Sequence, residues 1–173
     1  MQRRAVFIVL LAGLLLGHSN SIAGTSQEEE QNRTGLARAV IGAKASLAQG
    51  LATVTRKGKP LSARFEIEDG RLQISVYRLK DGQFSEVILD ADTAAIDEVD
   101  PITSGNDYTV AQNRSAALTN AKRSLSEAVG GALHGYPGFH AVSVVPTLKN
   151  GHPVAEIAVT NGNVWKTVTE KLD

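Results

Sequence analysis

Two stretches of this chain carry nearly the same residues in the same order. Gln31-Asn32-Arg33-Thr34 returns as Gln112-Asn113-Arg114-Ser115, and Ala43-Lys44-Ala45-Ser46-Leu47 returns as Ala121-Lys122-Arg123-Ser124-Leu125. The second match runs on without a gap: Leu61, Ala63 and Ile67 stand against Phe139, Ala141 and Val145 at a constant offset of 78 residues. Internal similarity of this kind constrains a fold before any propensity does, because each copy is expected to form one supersecondary unit packed on its neighbour.

The N-terminus reads as an address. Arg3 and Arg4 precede an apolar run of 13 residues, 5–17, and Ser21-Ile22-Ala23 supplies the small residues of a cleavage site before Gly24. A membrane-spanning helix needs roughly 20 apolar residues, so a cleaved signal peptide over residues 1–23 is the expectation, with a periplasmic or secreted destination. The absence of cysteine excludes a lipid-accepting thiol and a disulfide framework alike, leaving the core to hold the exported fold. Without Arg3 and Arg4 the remaining 150 residues carry 16 basic and 18 acidic side chains. That balance gives no nucleic-acid footprint and no polybasic membrane patch. No membrane span is expected after cleavage.

Residues 24–32, with Glu28-Glu29-Glu30, read as a disordered tether. A first unit over residues 33–99 then opens at Thr34, a candidate helix cap. Leu36, Val40, Ala43, Leu47, Leu51 and Val54 recur at helical spacing and predict a single helix of about twenty residues, stopped by Gly58 and Pro60. Strict alternation follows: Leu61, Ala63, Phe65 and Ile67 face one way, with Ser62, Arg64, Glu66 and Glu68 facing the other. Asp69-Gly70 and Asp81-Gly82 are hairpin turns that separate this strand from two more, the first with Leu72, Ile74 and Val76 inward and the second over residues 84–89.

This order of elements, the Gly58-Lys59-Pro60 entry and the run Val87-Ile88-Leu89-Asp90-Ala91-Asp92-Thr93 resemble a PepSY domain, whose closing signature is a hydrophobic strand ending in Asp-Ala-x-Thr-Gly. Asp90, Ala91 and Thr93 match the signature; Ala94 stands where the family prefers Gly. A second unit over residues 112–173, after a linker at 100–111, repeats the plan. Ser115 is its candidate cap, Leu118, Ala121, Leu125, Ala128 and Ala132 its helical stripe, and Asn150-Gly151 and Asn161-Gly162 its turns. The expected fold class is therefore α+β: two tandem repeats, each one α-helix packed on a three-to-four-stranded antiparallel β-sheet. At about 60 residues each, the units are expected to fold together as one cooperative body.

Chemistry is sparse. His134, His140 and His152 are the candidate metal ligands if any exist, but their spacings of six and twelve fit no short ligand motif and no thiolate joins them. Asp90 and Asp92 read as turn formers, and Asp97, Glu98 and Asp100 as solvated linker charge. No nucleophile elbow, His-Glu-x-x-His, phosphate loop or dinucleotide fingerprint is present. Neither an enzyme nor a bound cofactor is expected. Trp165 alternates with Val164, Lys166 and Val168 on the last strand, so it is either core or an outward anchor for a partner.

The PepSY resemblance implies a non-catalytic exported binding or regulatory module that docks a protein partner, such as an envelope or secreted peptidase, by strand addition or a contact patch. Its candidate contact residues are Arg64, Glu66, Tyr77, Arg78 and Trp165. The alternative is a periplasmic small-molecule or metal-binding protein using the three histidines.

Overall fold

Dipeptides ending in Gly turn this chain back on itself. Asp69, Asp81 and Asn150 adopt φ near +50°, each followed by a glycine at φ +76° to +79°, the backbone that a two-residue hairpin requires. In the computed structural model, which describes residues 23–173, these turns join strands β1 (Lys59–Glu68), β2 (Arg71–Lys80) and β3 (Gln83–Asp90), and β5 (His140–Lys149) to β6 (His152–Thr160). Strands β4 (Ile96–Ile102) and β7 (Trp165–Lys171) complete one antiparallel sheet of seven strands in the order β4-β3-β2-β1-β5-β6-β7. Four helices accompany it: α1 (Ala23–Gly42), α2 (Leu47–Thr55), α3 (Gly105–Ala117) and α4 (Leu125–His134).

The expectation of two units, each with one helix on its own small sheet, is thus corrected. β1 and β5 pair directly, Ala63 opposite Val144 and Arg64 opposite Ser143, and the two halves share one sheet and one core. Halves of this size would be marginal alone, and the pairing also removes two sheet edges. The single long first helix is corrected as well. It breaks at residues 43–46, where Ser46 forms a capping box: its hydroxyl accepts from Gln49 N–H while the Gln49 side chain accepts from the Ser46 N–H. Ser124 and Glu127 do the same for α4. Thr34 and Ser115, the expected caps, lie inside α1 and α3. The expected tether 24–32 lies within α1, and the expected linker 100–111 is the end of β4 and the first half of α3. The signal-peptide expectation falls on residues 1–22, outside the described residues, and its boundary at Ala23. No helix among the described residues is long and apolar enough to cross a membrane.

Antiparallel partners share a face, so the register sorts the side chains. Ala63, Phe65, Ile74, Val76, Val87, Leu89, Val144, Ala155, Ile157 and Val159 all point to one side and are buried there. α2 and α4 lie over them; Gly50 of α2 sits directly on Ile74, and Gly131 of α4 beside Glu170. Each of the larger side chains contributes about 1.5–3 kcal/mol by leaving water. Leu61 joins them through a β-bulge at residues 60–62, matched by another at 141–143 in β5. Ile67, expected inward, is exposed at the strand end. Gly58 enters β1 at φ +156°, where a Cβ would lie 2.9 Å from the Leu79 carbonyl oxygen, so no other residue fits without moving β2.

The opposite face belongs to α1 and α3. Arg114 of α3 reaches Ser62 and covers the Tyr77 ring, and Arg33 of α1 covers Trp165. The chain crosses from this face to the first around the sheet ends. Ala45 N–H donates to the Ala91 carbonyl at 3.0 Å; Lys122 and Arg123 N–H donate to that of Leu172 at 2.6 and 3.0 Å.

Replacing Ser46 or Ser124 with Ala is expected to lower unfolding stability by about 1 kcal/mol. Both variants should shift one shared urea transition, because α2 and α4 sit on one core; a loss confined to a separate transition would contradict a single cooperative sheet. Ala94 holds φ +54°, a left-handed strain of about 1–2 kcal/mol that glycine relieves at some cost in chain entropy. Ala94→Gly should therefore raise the same urea midpoint, by about 0.5 kcal/mol in stability. A fall would show that the buried methyl outweighs the strain.

Candidate functional site: a polar cluster on the second sheet face

β-strand alternation places Ser62, Arg64 and Glu66 of β1 beside Gln73, Ser75 and Tyr77 of β2 and Glu86 of β3, all on the face away from α2 and α4. α3 brings Asp107 and Arg114 down onto them. The Arg64 Nε donates to Glu66 at 2.7 Å, and its guanidinium lies 4.0 Å from Glu86. Gln73 donates to both Glu66 and Glu68 at 2.9 Å. The Ser75 hydroxyl donates to Glu86, and the Tyr77 hydroxyl donates to Asp107 at 3.1 Å. Arg114 donates to Ser62 at 2.7 Å while its guanidinium lies 4.7 Å from the centre of the Tyr77 ring, a cation–π contact strengthened by partial burial.

Burial sets the protonation behaviour of the floor of this cluster. It raises the Glu86 carboxyl above the usual range; the Ser75 hydroxyl and Arg64 oppose that, while Glu66 and Asp107 add to it. Burial also pushes the Tyr77 hydroxyl well above its ordinary value, helped by Glu86 and Asp107, so it remains a donor. Burial lowers Arg114, with Arg64 acting the same way, against the attraction of Tyr77, Glu86 and Asp107. The rim differs: the side chains of Arg64 and Glu66 keep 32% and 23% of their exposure, against 16% for Glu86. The arrangement presents fixed charge to solvent from a rigid, hydrogen-bonded base. Among these side chains none pairs a nucleophile with an imidazole or amine base.

Three of the five residues singled out from the sequence, Arg64, Glu66 and Tyr77, meet here. Arg78 does not: it points to the α2 face and donates to Ser85 at 3.1 Å. Trp165 stands apart on β7, half-buried on the α1 face, its ring 5.1 Å from the Arg33 guanidinium. Glu86, Asp107 and Arg114 were missed. Arg114 carried a signal, since it is the arginine of the repeated Gln-Asn-Arg, and both copies of that arginine cover an aromatic ring.

The histidines are not gathered. His140 opens β5 and His152 follows its far end, opposite Lys149, so ten residues of strand separate them, about 30 Å. His152 pairs with Asp173 at 2.7 Å, and no group of three or more metal-ligating side chains occurs among the described residues. Asp90 is spent on its turn: one carboxylate oxygen accepts from Asp92 N–H, Thr93 N–H and the Thr93 hydroxyl, the other from Arg71. These bonds, Arg71 first, bring its carboxyl down to about 2. An open cleft of about 340 Å³ beside this turn is lined by Arg38, Arg71, Asp90 and Asp92, with Arg71 already shared between Asp90 and Asp97.

No family model and no curated protein matches this chain. Among solved structures, a "putative lipoprotein" from Clostridium difficile 630 is similar at 12% identity with a TM-score of 0.45, over 76% of this chain and 88% of that one.

Because Glu86 is raised in the folded state, its effect on stability is favourable at low pH and is lost as pH climbs from the ordinary 4.5 through the raised value. Glu86→Gln keeps an acceptor for Ser75 and removes the titration. Urea midpoints between about pH 4 and pH 7 should therefore fall more steeply for the wild type than for the variant. Parallel profiles would mean that Glu86 titrates as it does in the unfolded chain.

Proposed function

We propose that this chain is an exported, non-catalytic binding module that docks a protein partner on the half-open charged face built by Arg64 and Glu66. The observation that carries this reading is the contrast within the cluster. Tyr77 and Glu86 are largely buried and Arg114 is held between α3 and Ser62, while Arg64 and Glu66, bonded to each other at 2.7 Å, keep part of their surface in water. Side chains already held in one rotamer lose less entropy on binding, so such a pair favours a specific contact. The PepSY resemblance at residues 87–93 supports a regulatory role towards an envelope or secreted peptidase, and the apolar leader at residues 5–17 supports export.

The test is capture from the envelope fraction of the source cell with the exported protein as bait, beside an Arg64→Ala/Glu66→Ala variant whose melting is checked first. One protein retained by the wild type and reduced about tenfold by the variant, a loss of about 1.4 kcal/mol, is the expected result. Equal retention by both, or retention of nothing, would overturn this assignment of the face.

A further inference from the structure

The two edges of the sheet are not alike. β4 is guarded: Asp97, Glu98 and Asp100 line it, and Pro101 sits within it. In the two-residue hairpin Lys80 pairs with Gln83, so Phe84, Glu86 and Ile88 direct their backbone groups towards β4. Their β4 partners Ile102, Asp100 and Glu98 point back, leaving Pro101 and Val99 facing outward; the proline offers no donor. β7 carries charge as well, at Lys166, Glu170 and Lys171, but of both signs, and no proline sits within it. It pairs with β6 without a bulge over its whole length.

The backbone of β7 can be assigned group by group. Asn161 N–H donates to the Val164 carbonyl and Leu172 N–H to that of Pro153. Alternation between these two bonded pairs makes Lys166, Val168 and Glu170 the residues bonded to β6. Trp165, Thr167 and Thr169 therefore point their N–H and C=O groups away from the sheet. At the far end the Lys171 carbonyl accepts from Arg123 at 2.8 Å, which closes the open stretch there.

We propose that this edge is a self-docking surface on which a second copy of the chain adds its own β7, antiparallel, about a two-fold axis at Val168. The residues Trp165–Lys171, WKTVTEK, read in opposite directions about Val168 place Lys166 across from the partner copy's Glu170 and Thr167 across from its Thr169. The bonded pairs of the new ladder are then Thr167 with Thr169 on both sides of the axis, the residues with free outward groups. Lys166 with Glu170 and Val168 with Val168 fall at the non-bonded pairs, where side chains stand closest. Opposite charges there favour the register, and like charges would disfavour it. Lys166 rests 5.2 Å from the Tyr136 ring and Glu170 accepts from Arg123 at 3.2 Å, so both are held on the α4 face of the strand. A β7-to-β4 contact would instead be heterologous and build open chains of molecules; Pro101 interrupts it.

The chain contains no cysteine, so single cysteines report cleanly. Across the axis two copies of residue 168 have Cα atoms about 4.5 Å apart, within disulfide reach. Two copies of residue 167 lie on a diagonal at about 7–8 Å, beyond it. With the whole chain expressed in its own cell and mildly oxidised, Val168→Cys should give about tenfold more covalent homodimer on non-reducing gels than Thr167→Cys or Thr169→Cys. The wild type should show concentration-dependent dimerisation in sedimentation velocity, weakened by Thr167→Pro, which removes an outward donor and no bond to β6. A wild type that stays monomeric, equal cross-linking at all three positions, or cross-linking of Val168→Cys to a different protein would each overturn the proposal.

Discussion

The pairing of β1 with β5 is the contact on which the rest of the structure depends. Its register is short, Ala63 with Val144 and Arg64 with Ser143, yet it sets the sheet order. With it, the helices α2 and α4 become neighbours over one apolar surface, and β4 and β7 become the two outer strands. Without it, each half would expose β1 or β5 as a further edge and cover its apolar face with one short helix, α2 or α4. Each half alone would be marginal against the entropy of ordering its chain.

A sheet with one largely apolar face leaves the other face to be specified by polar groups, and here that task falls to α1 and α3. Ala111 and Ala117 of α3 and Ala37 of α1 are small buried contacts, which bring the helix backbones close. Longer side chains then carry the specificity: Arg114 on Tyr77, Tyr108 edge-on to Phe84 at 5.4 Å, and Arg33 on Trp165. A buried ion left without a partner is costly. The bond to Ser62, the Tyr77 ring and the nearby charge of Asp107 are what let Arg114 sit between α3 and the sheet.

Six of the seven strands were legible because period-two alternation survives at Ala63, Phe65, Ile74 and Val76, and because three hairpins are written as Asp-Gly or Asn-Gly; β4 reads as linker because its acids hide the alternation. The helices were not. Leu36, Val40, Ala43, Leu47, Leu51 and Val54 keep one helical phase across a break, and periodicity cannot see a break that preserves phase. The capping residues Ser46 and Gln49 mark it locally. The first half of α1 and most of α3 were missed because a helix over a half-polar face needs only a narrow apolar stripe; Glu28-Glu29-Glu30 looks like a tether on any scale of hydrophobicity. The similarity between the halves persists in the two capping boxes, the two bulges and the two arginine–aromatic contacts, while both halves share one sheet and one core. Of the candidate site, Arg64, Glu66 and Tyr77 followed from alternation, whereas Glu86, Asp107 and Arg114 depend on which helix covers which face, a tertiary fact.

The asymmetry of the edges follows from the same topology. Each half ends in a strand that joins the outside of the sheet, but β4 runs on into α3, whereas β7 runs into Leu172, which is tied back to the sheet. Continuation into α3 brings Pro101, Ile102 and the turn at Ser104 and Gly105 to the end of β4, and its acidic side chains face water. β7 is fastened instead by its own end, where Leu172 is buried and bonded to Pro153 and to the loop before α4. That anchorage fixes the register of β7 against β6 without using its outer backbone groups. A strand held firmly on one side, flat in register and rich in threonine on the other, is a template for one more strand. In a sheet of this order that property can reside only at β4 or β7, and the proline and three acids of β4 leave it to β7.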